Sequence, residues 1–283
     1  MVGSTGRLRI GTRELVLGRR TYVIAVLNVS PDSFSGDGIS DVSQAVERGR
    51  QAEAEGADLL DVGGESTRPE TWDRPPLPLE MELARVAPVV ERLRDAVAIP
   101  ISIDTSKAAV ARAALGAGAA MVNDVTGLKG DPDMARVVAA VGVPVVLMHN
   151  QPLQPGSGLI AEILRGLGQS LEIARRAGIR EDRIIVDPGI GFHKNPAQNL
   201  ELLRRLHELS RLGLPLLVGP SRKSFIGRTL DLPVEERLEG TAAAVALAIA
   251  AGADLVRVHD VRAMVRVARM ADAIVRPGRR DPP

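Results

Sequence analysis

The chain contains no cysteine, so disulfides and thiolate metal centres are excluded. Aromatic residues make up only 2 % of its 283 positions, which leaves a core of small aliphatic side chains suited to layered α/β packing. There is no surplus of charge: the formal net value of +1 gives no general electrostatic reason to bind nucleic acid or an anionic membrane. No long apolar run occurs at the N-terminus, so neither a signal peptide nor a membrane anchor is visible, and a cytoplasmic location is expected. Lysine is scarce as well. It occurs only as Lys107, Lys129, Lys194 and Lys223 among many arginines, so each one weakly invites a specific reason.

Short apolar runs are plentiful, and each ends on or beside a polar residue. They are YVIAVLN (22–28), DLLDV (58–62), IPISID (99–104), AMVND (120–124), VPVVLMH (143–149), RIIVD (183–187), LPLLVG (214–219) and DLVRVH (254–259). Too short for buried helices and rich in leucine or β-branched residues, they read as strands buried on both faces. Three are entered through EGAD, AGAA and AGAD, where a glycine ends the preceding helix, and three through Ile-Pro, Val-Pro and Leu-Pro. Between them lie helical patterns: Leu83, Val86, Val90, Leu93 and Val97 share one face, and 106–117, 132–141, 160–178, 196–212, 234–252 and 260–275 continue the alternation.

Eight strand–helix units predict an α/β fold of the closed (β/α)8 TIM-barrel type, with residues 1–283 as a single domain. An open doubly wound sheet is the alternative, though it usually has fewer repeats. Residues 7–17, RLRIGTRELVL, alternate around a Gly-Thr turn and predict an N-terminal β-hairpin closing the bottom of the barrel. PETWDRPPLP (69–78) reads as a long loop rather than a linker.

In such a barrel the active site lies at the carboxyl ends of the strands. Those ends carry Asn28, Asp61, Asp104, Asn123, His149, Asp187, the 221–224 segment, and Arg257 with His259. A single Asp or Asn there is often only a helix cap, and Asp61 and Asp124 are evenly balanced between that role and a functional one. Eight polar ends on one rim are harder to assign to structure alone. Arg222, Lys223, Arg257 and His259 follow the last two strands, where barrel enzymes often bind phosphate. GGESTRP (63–69) adds Ser66, Thr67 and Arg68 as donors. One amide oxygen from Asn28 suits Mg²⁺ bridging a diphosphate, since that ion keeps several waters and needs few protein ligands. Asp104, Asn123 and Asp187 supply acceptors that match the guanidine-like edge of an aminopyrimidine ring.

LNVSPDSFS (27–35), GGESTRP (63–69), SIDT (102–105), VND (122–124), DPGIGFHK (187–194), GPSRKS (219–224) and RVHD (257–260) stand in the order found in dihydropteroate synthases. The resemblance runs from residue 22 to about residue 276. It implies a (β/α)8 barrel, typically a homodimer, that joins 6-hydroxymethyl-7,8-dihydropterin diphosphate to p-aminobenzoate and releases diphosphate in folate biosynthesis. By resemblance Asp104, Asn123, Asp187 and Lys223 bind the pterin, with Met148 against its face. Asn28 is similar to the magnesium ligand, and Arg68, Arg257 and His259 are similar to the diphosphate binders. Phe34, Thr67, Pro69, Phe192, Lys223 and Ser224 match the lining of the p-aminobenzoate site. Arg222 either supports that carboxylate or packs across its loop. No side chain is expected to act as a covalent nucleophile. The first loop departs from the usual Ser-Asp-Gly-Gly by reading Ser35-Gly36-Asp37-Gly38, which moves its acid one position on. A corrinoid-dependent pterin-binding methyltransferase and a non-catalytic pterin-binding relative are the competing readings, but neither needs the full anion-binding set.

Overall fold

The computed structural model describes residues 6–29, 41–65, 75–154, 156 and 158–276. Strands β1 (Gly6–Ile10) and β2 (Arg13–Leu17) form an antiparallel hairpin about the Gly11-Thr12 turn. Eight further strands are mutually parallel: β3 (Tyr22–Asn28), β4 (Leu59–Gly63), β5 (Ile101–Asp104), β6 (Met121–Asp124), β7 (Val145–Met148), β8 (Ile184–Asp187), β9 (Leu217–Val218) and β10 (Leu255–Val258). The helices among the described residues are α1 (Val42–Ala54), α2 (Leu79–Ala96), α3 (Ala108–Ala117), α4 (Met134–Val141), α5 (Leu159–Arg176), α6 (Pro196–Arg204), α7 (Ser224–Leu230), α8 (Leu238–Ala250) and α9 (Val261–Val275).

The sheet runs β8-β7-β6-β5-β4-β3-β10-β9, so neighbours in space are neighbours in sequence, with β3 joined to β10. A single parallel bridge between Val186 and Leu216, with the Val186 N–H donating to the Pro215 carbonyl at 2.9 Å, brings β8 and β9 together and nearly closes the barrel. The expected strand at 214–219 shrinks to two residues because Pro215 has no N–H to give the ladder and Pro220 follows at once. The other runs hold to within a few residues, and helix-ending glycines behave as expected, with Gly118 capping α3 at φ 124°.

Two expected helices are interrupted. The 196–212 pattern becomes α6 plus a 3₁₀ segment at Leu206–Leu212, and 234–252 becomes a 3₁₀ turn at Val234–Glu236 followed by α8. α7 was not expected. Its buried Phe225, Ile226 and Gly227 are consecutive, so they show no helical period.

The hairpin closes the amino end of the barrel. Leu8, Ile10, Leu15 and Leu17 are buried against Tyr22, Leu59, Met121, Leu217 and Leu255, the opening residues of five barrel strands. A larger cluster lies between the sheet and its helices. Sealing the barrel at that end leaves the carboxyl rim as the end where polar groups converge.

Candidate active site at the carboxyl rim

Parallel register fixes which side chains meet. Asp104 pairs with Asn123 across β5 and β6, and Met148 pairs with Asp187 across β7 and β8. Arg257, on β10, reaches over the barrel mouth. Its Nε donates to Asp61 Oδ2 at 2.6 Å and its Nη2 to Asp104 Oδ2 at 2.8 Å. Asn123 Nδ2 donates to the same Asp61 oxygen at 2.9 Å. The second oxygens, Asp61 Oδ1 and Asp104 Oδ1, are buried and have no hydrogen-bond partner. Native interiors seldom leave such acceptors unmet, so this pair marks where incoming donors fit. Arg257 keeps Nη1 without a partner among the described residues.

Burial pushes the Asp104 carboxyl up to about 7, and Asp61 adds to the rise while the Arg257 guanidinium opposes it. Burial also works against the charge on Arg257, yet Asp61 and Asp104 hold its proton more tightly than usual. The rim thus carries two acids sharing one guanidinium.

The second part of the rim follows β8. Asp187 Oδ1 accepts the Gly189 N–H at 2.7 Å, and burial raises its carboxyl although Lys223 pulls the other way. Lys223 donates its Nζ to the Ile190 carbonyl and stands 4.6 Å from the centre of the Phe192 ring. Burial lowers its amine to about 8, against the attraction of Asp187. Val125, Met148 and Phe192 form a small apolar cluster separate from the two main ones, a wall beside these polar groups.

The 221–224 segment leads directly into α7, with Ser224 as its first residue. Ser221 Oγ lies 3.0 Å from His259 Nδ1 and accepts the His259 N–H at 3.2 Å, tying the segment to the end of β10. Arg222 has φ 57°, and its guanidinium makes a two-point pair with Asp260 at 2.9 and 2.5 Å. That pair ties the Arg222 guanidinium across its loop to the residue after His259. Asn28 ends β3, half-buried, at a cleft of about 480 Å³ that it shares with Arg222, His259 and Asp260.

Asp104, Asn123, Met148, Asp187, Phe192, Lys223 and Arg257 therefore sit around the barrel mouth, with Asn28, His259, Arg222 and Ser224 on its β3, β10 and α7 side. Phe34, Asp37, Thr67, Arg68 and Pro69 lie outside the described residues. The two evenly balanced acids separate cleanly. Asp124 accepts from the Thr126 N–H and Oγ1 and the Leu128 N–H, so it braces its own turn. Asp61 holds Arg257 and Asn123, and only its place at a strand end hinted at this.

Two further groups have no counterpart in the sequence reading. Lys107 pairs with Glu65 and with Glu82, whose Oε1 accepts the Thr105 hydroxyl at 2.6 Å. Lys194 is buried against His149. Lysine scarcity pointed at both positions without saying what they do. Among the described residues no three His, Asp or Glu side chains gather to hold a metal ion.

A sequence model of the family described as pterin binding enzymes matches residues 24–259. Over 271 residues the chain is 46 % identical to the dihydropteroate synthase of Clostridium beijerinckii, covering 95 % of this chain and all of that one. A Clostridium difficile dihydropteroate synthase structure obtained in the presence of pteroic acid superimposes with TM-score 0.86 at 45 % identity, covering 92 % and 98 % of the two chains. A Xanthomonas albilineans dihydropteroate synthase structure with 4-aminobenzoic acid gives TM-score 0.86 at 43 % identity, covering 96 % and 98 %.

Proposed function

The chain belongs to the pterin-binding enzymes and, among them, to the dihydropteroate synthases; from that membership we propose how its rim divides the work. The enzyme is a transferase of folate biosynthesis. It condenses 6-hydroxymethyl-7,8-dihydropterin diphosphate with p-aminobenzoate, giving 7,8-dihydropteroate and diphosphate. The carrying observation is the pair of unpartnered buried oxygens on Asp61 and Asp104, beside the apolar wall of Met148 and Phe192. A flat ring with several N–H donors on its edge satisfies both features. Asp104, Asn123 and Asp187 take the pterin edge, Met148 lies against its face, and Lys223 adds a donor on the other side.

The diphosphate end is read toward Arg257 Nη1, His259 and Asn28, with Arg68 joining from outside the described residues. The C–O bond to diphosphate breaks with its electron pair leaving on oxygen, and Arg257 and His259 hold the charge that develops there. The electron-rich ring and the anionic Asp104 and Asp187 stabilise the cationic methylene. The aniline nitrogen then forms the new C–N bond and sheds its proton without a strong general base. Ser224 and Lys223 hold the p-aminobenzoate carboxylate, and Phe34, Thr67, Pro69 and Phe192 line its slot. Arg222 supports this loop through Asp260.

Asn28 offers one hard, neutral oxygen at the cleft, and no carboxylate cage is present among the described residues. That donor set fits Mg²⁺, which favours few protein ligands and retained water. Asn28 would hold the ion, which when bound adds positive charge against the diphosphate. Purified protein should form dihydropteroate from the two substrates with Mg²⁺ and lose turnover in excess chelator. Equal turnover with and without metal rejects the Asn28 role. Methyl transfer from methyltetrahydrofolate without diphosphate release would favour the methyltransferase alternative.

A homodimer is also proposed. The adjoining helices α8 and α9 expose Leu247 at 62 %, Met270 at 63 % and Ile274 at 67 %, an apolar face that a second copy would cover. Light scattering after Leu247→Asp should then report a monomer. No described helix is long and apolar enough to cross a membrane, and a cytoplasmic location and independence from nucleic acid are part of the same reading.

A further inference from the structure

The turn between β8 and α6 is bent further than an ordinary connection. Gly189, Gly191 and His193 all take positive φ, at 71°, 81° and 47°. A Cβ on Gly189 would fall 2.0 Å from the His149 carbonyl oxygen, so the chain passes the end of β7 at a distance only glycine allows. Such a path needs bonding beyond the backbone's own preferences.

Lys194 supplies that bonding from inside the turn. Its ammonium, on a residue only 8 % exposed, donates to the Gly189 carbonyl at 3.0 Å and the Phe192 carbonyl at 3.0 Å and faces His149 Nδ1 at 3.3 Å. These three acceptors match the ammonium's three donors, and none of them carries a charge. The ammonium can only donate, so His149 presents a bare Nδ1 and keeps its ring neutral; burial and the nearby Lys194 push the imidazole down to about 3. Asn199 adds a second brace, accepting the Gly191 N–H at 2.6 Å and donating to the Lys194 carbonyl at 2.9 Å.

A buried cation without a bonded anion is an expensive way to stabilise a fold. Burial accordingly lowers the Lys194 amine to about 7, with Asp187 pulling it up. The groups that the turn presents give the reason for accepting that cost. Asp187 takes the Gly189 N–H, the Ile190 carbonyl takes Lys223 Nζ, and the Phe192 ring lies beneath that same amine. The turn thus holds three groups of the rim, and the Lys194 ammonium ties it at both ends.

We propose that Lys194 is a positioning residue for the condensation. Its ammonium holds the 187–193 turn in the shape that offers Asp187 to the pterin and sets the Ile190 carbonyl and Phe192 against Lys223. It touches neither substrate, and it adds positive charge near Asp187, helping to keep that group an anionic acceptor. The inference rests on the reading of Asp187 and Lys223 as pterin-site residues.

Lys194→Met keeps the stem and removes the ammonium, while Lys194→Gln keeps N–H donors without charge. Binding of 6-hydroxymethylpterin by calorimetry, together with steady-state kinetics in both substrates, reads the effect. Lys194→Met should raise the pterin Kd and the KM for p-aminobenzoate by about tenfold or more, with kcat at saturation within about threefold of the parent. Lys194→Gln should fall between. A residue serving stability alone would lower the active fraction, and so the apparent kcat, with Kd and KM unchanged; that pattern overturns the proposal. Failure of both variants to fold by circular dichroism also assigns Lys194 to stability and overturns it. An Asp187→Asn enzyme that binds pterin as tightly as the parent would instead sink the underlying site reading.

Discussion

Replacing Asp61 with asparagine isolates the carboxylate that organises the barrel mouth. The side chain keeps its size, and its one oxygen can still stand where Oδ2 accepts Arg257 Nε at 2.6 Å and Asn123 Nδ2 at 2.9 Å. What disappears is the charge. Arg257 is still a charged donor, so its bond to the carboxamide oxygen survives in weakened form and only roughly 1 kcal/mol is lost there, the gap between a hydrogen bond to a charged group and a neutral one. The new amide N–H₂ then occupies the unpartnered Oδ1 position, adding roughly 1–3 kcal/mol for a buried donor without an acceptor. Asp104 remains on Arg257 at 2.8 Å, so the guanidinium is never left alone and the roughly 3–5 kcal/mol of a fully orphaned buried charge is not reached. The net expectation is a loss of about 2–4 kcal/mol in urea unfolding. A fall of about 10- to 100-fold in kcat/KM should accompany it, because Arg257 is no longer aimed and a donor faces the pterin's own donors. Removing a neighbouring negative charge should also lower the Asp104 carboxyl from its value of about 7. Wild-type kcat/KM in a correctly folded Asp61→Asn enzyme would refute the claim that Asp61 aims Arg257.

The pH dependence follows from Asp104, whose carboxyl is raised to about 7 in the folded protein. At this group folding takes up a proton, so the stability that Asp104 contributes should fall as pH climbs from about 4 toward about 7 and then level off. It is read as the difference between the parent and Asp104→Asn, because His149, pushed down to about 3, has the opposite slope over much of that window. Pterin donating to the carboxylate should bind more tightly over the upper part of the same window, with proton release seen by calorimetry in two buffers; Asp104→Asn should abolish that release. Ser224→Ala should raise the KM for p-aminobenzoate roughly 10- to 150-fold, the equivalent of one hydrogen bond to a charged group, with pterin binding intact. Arg257→Ala should instead depress kcat, because leaving-group charge grows in the transition state, as single-turnover rates would reveal. At the far end of the barrel, Leu8→Ala should cost about 2–5 kcal/mol of stability without altering either KM.

How much of this could be read from residue order varies by element. The β3 run at 22–28 matches its strand residue for residue, because six apolar or β-forming positions ahead of Asn28 leave little choice. The closing hairpin was readable because strict alternation around Gly11-Thr12 has one sensible register. β9 was overestimated, since hydrophobicity cannot say which of its residues lack a ladder donor. Asp104, Asn123 and Asp187 stood out as polar ends of apolar runs, and parallel register then carried them to one mouth. The pairing of Arg257 with Asp61 spans 196 positions, and nothing local announces it. Lys194 was hidden for a similar reason. Two of its three partners are backbone carbonyls, which every residue possesses, and the third, His149, lies 45 positions away.

The short β9 strand has a consequence for how the barrel breathes. Every other junction among the eight strands is a ladder, but β8 meets β9 through one bridge at Leu216 and one backbone bond to Pro215. That junction is the place where opening should begin, and the Val186 amide should exchange with deuterium sooner than its buried position would indicate. Asp187 stands on one bank of the junction and Lys223 on the other. A pterin held by both would act as a clasp across it, slowing Val186 exchange more than that of any amide on β4 or β5. Folate intermediates would then be fastening the barrel as well as reacting in it, and occupancy could be followed from a single backbone proton.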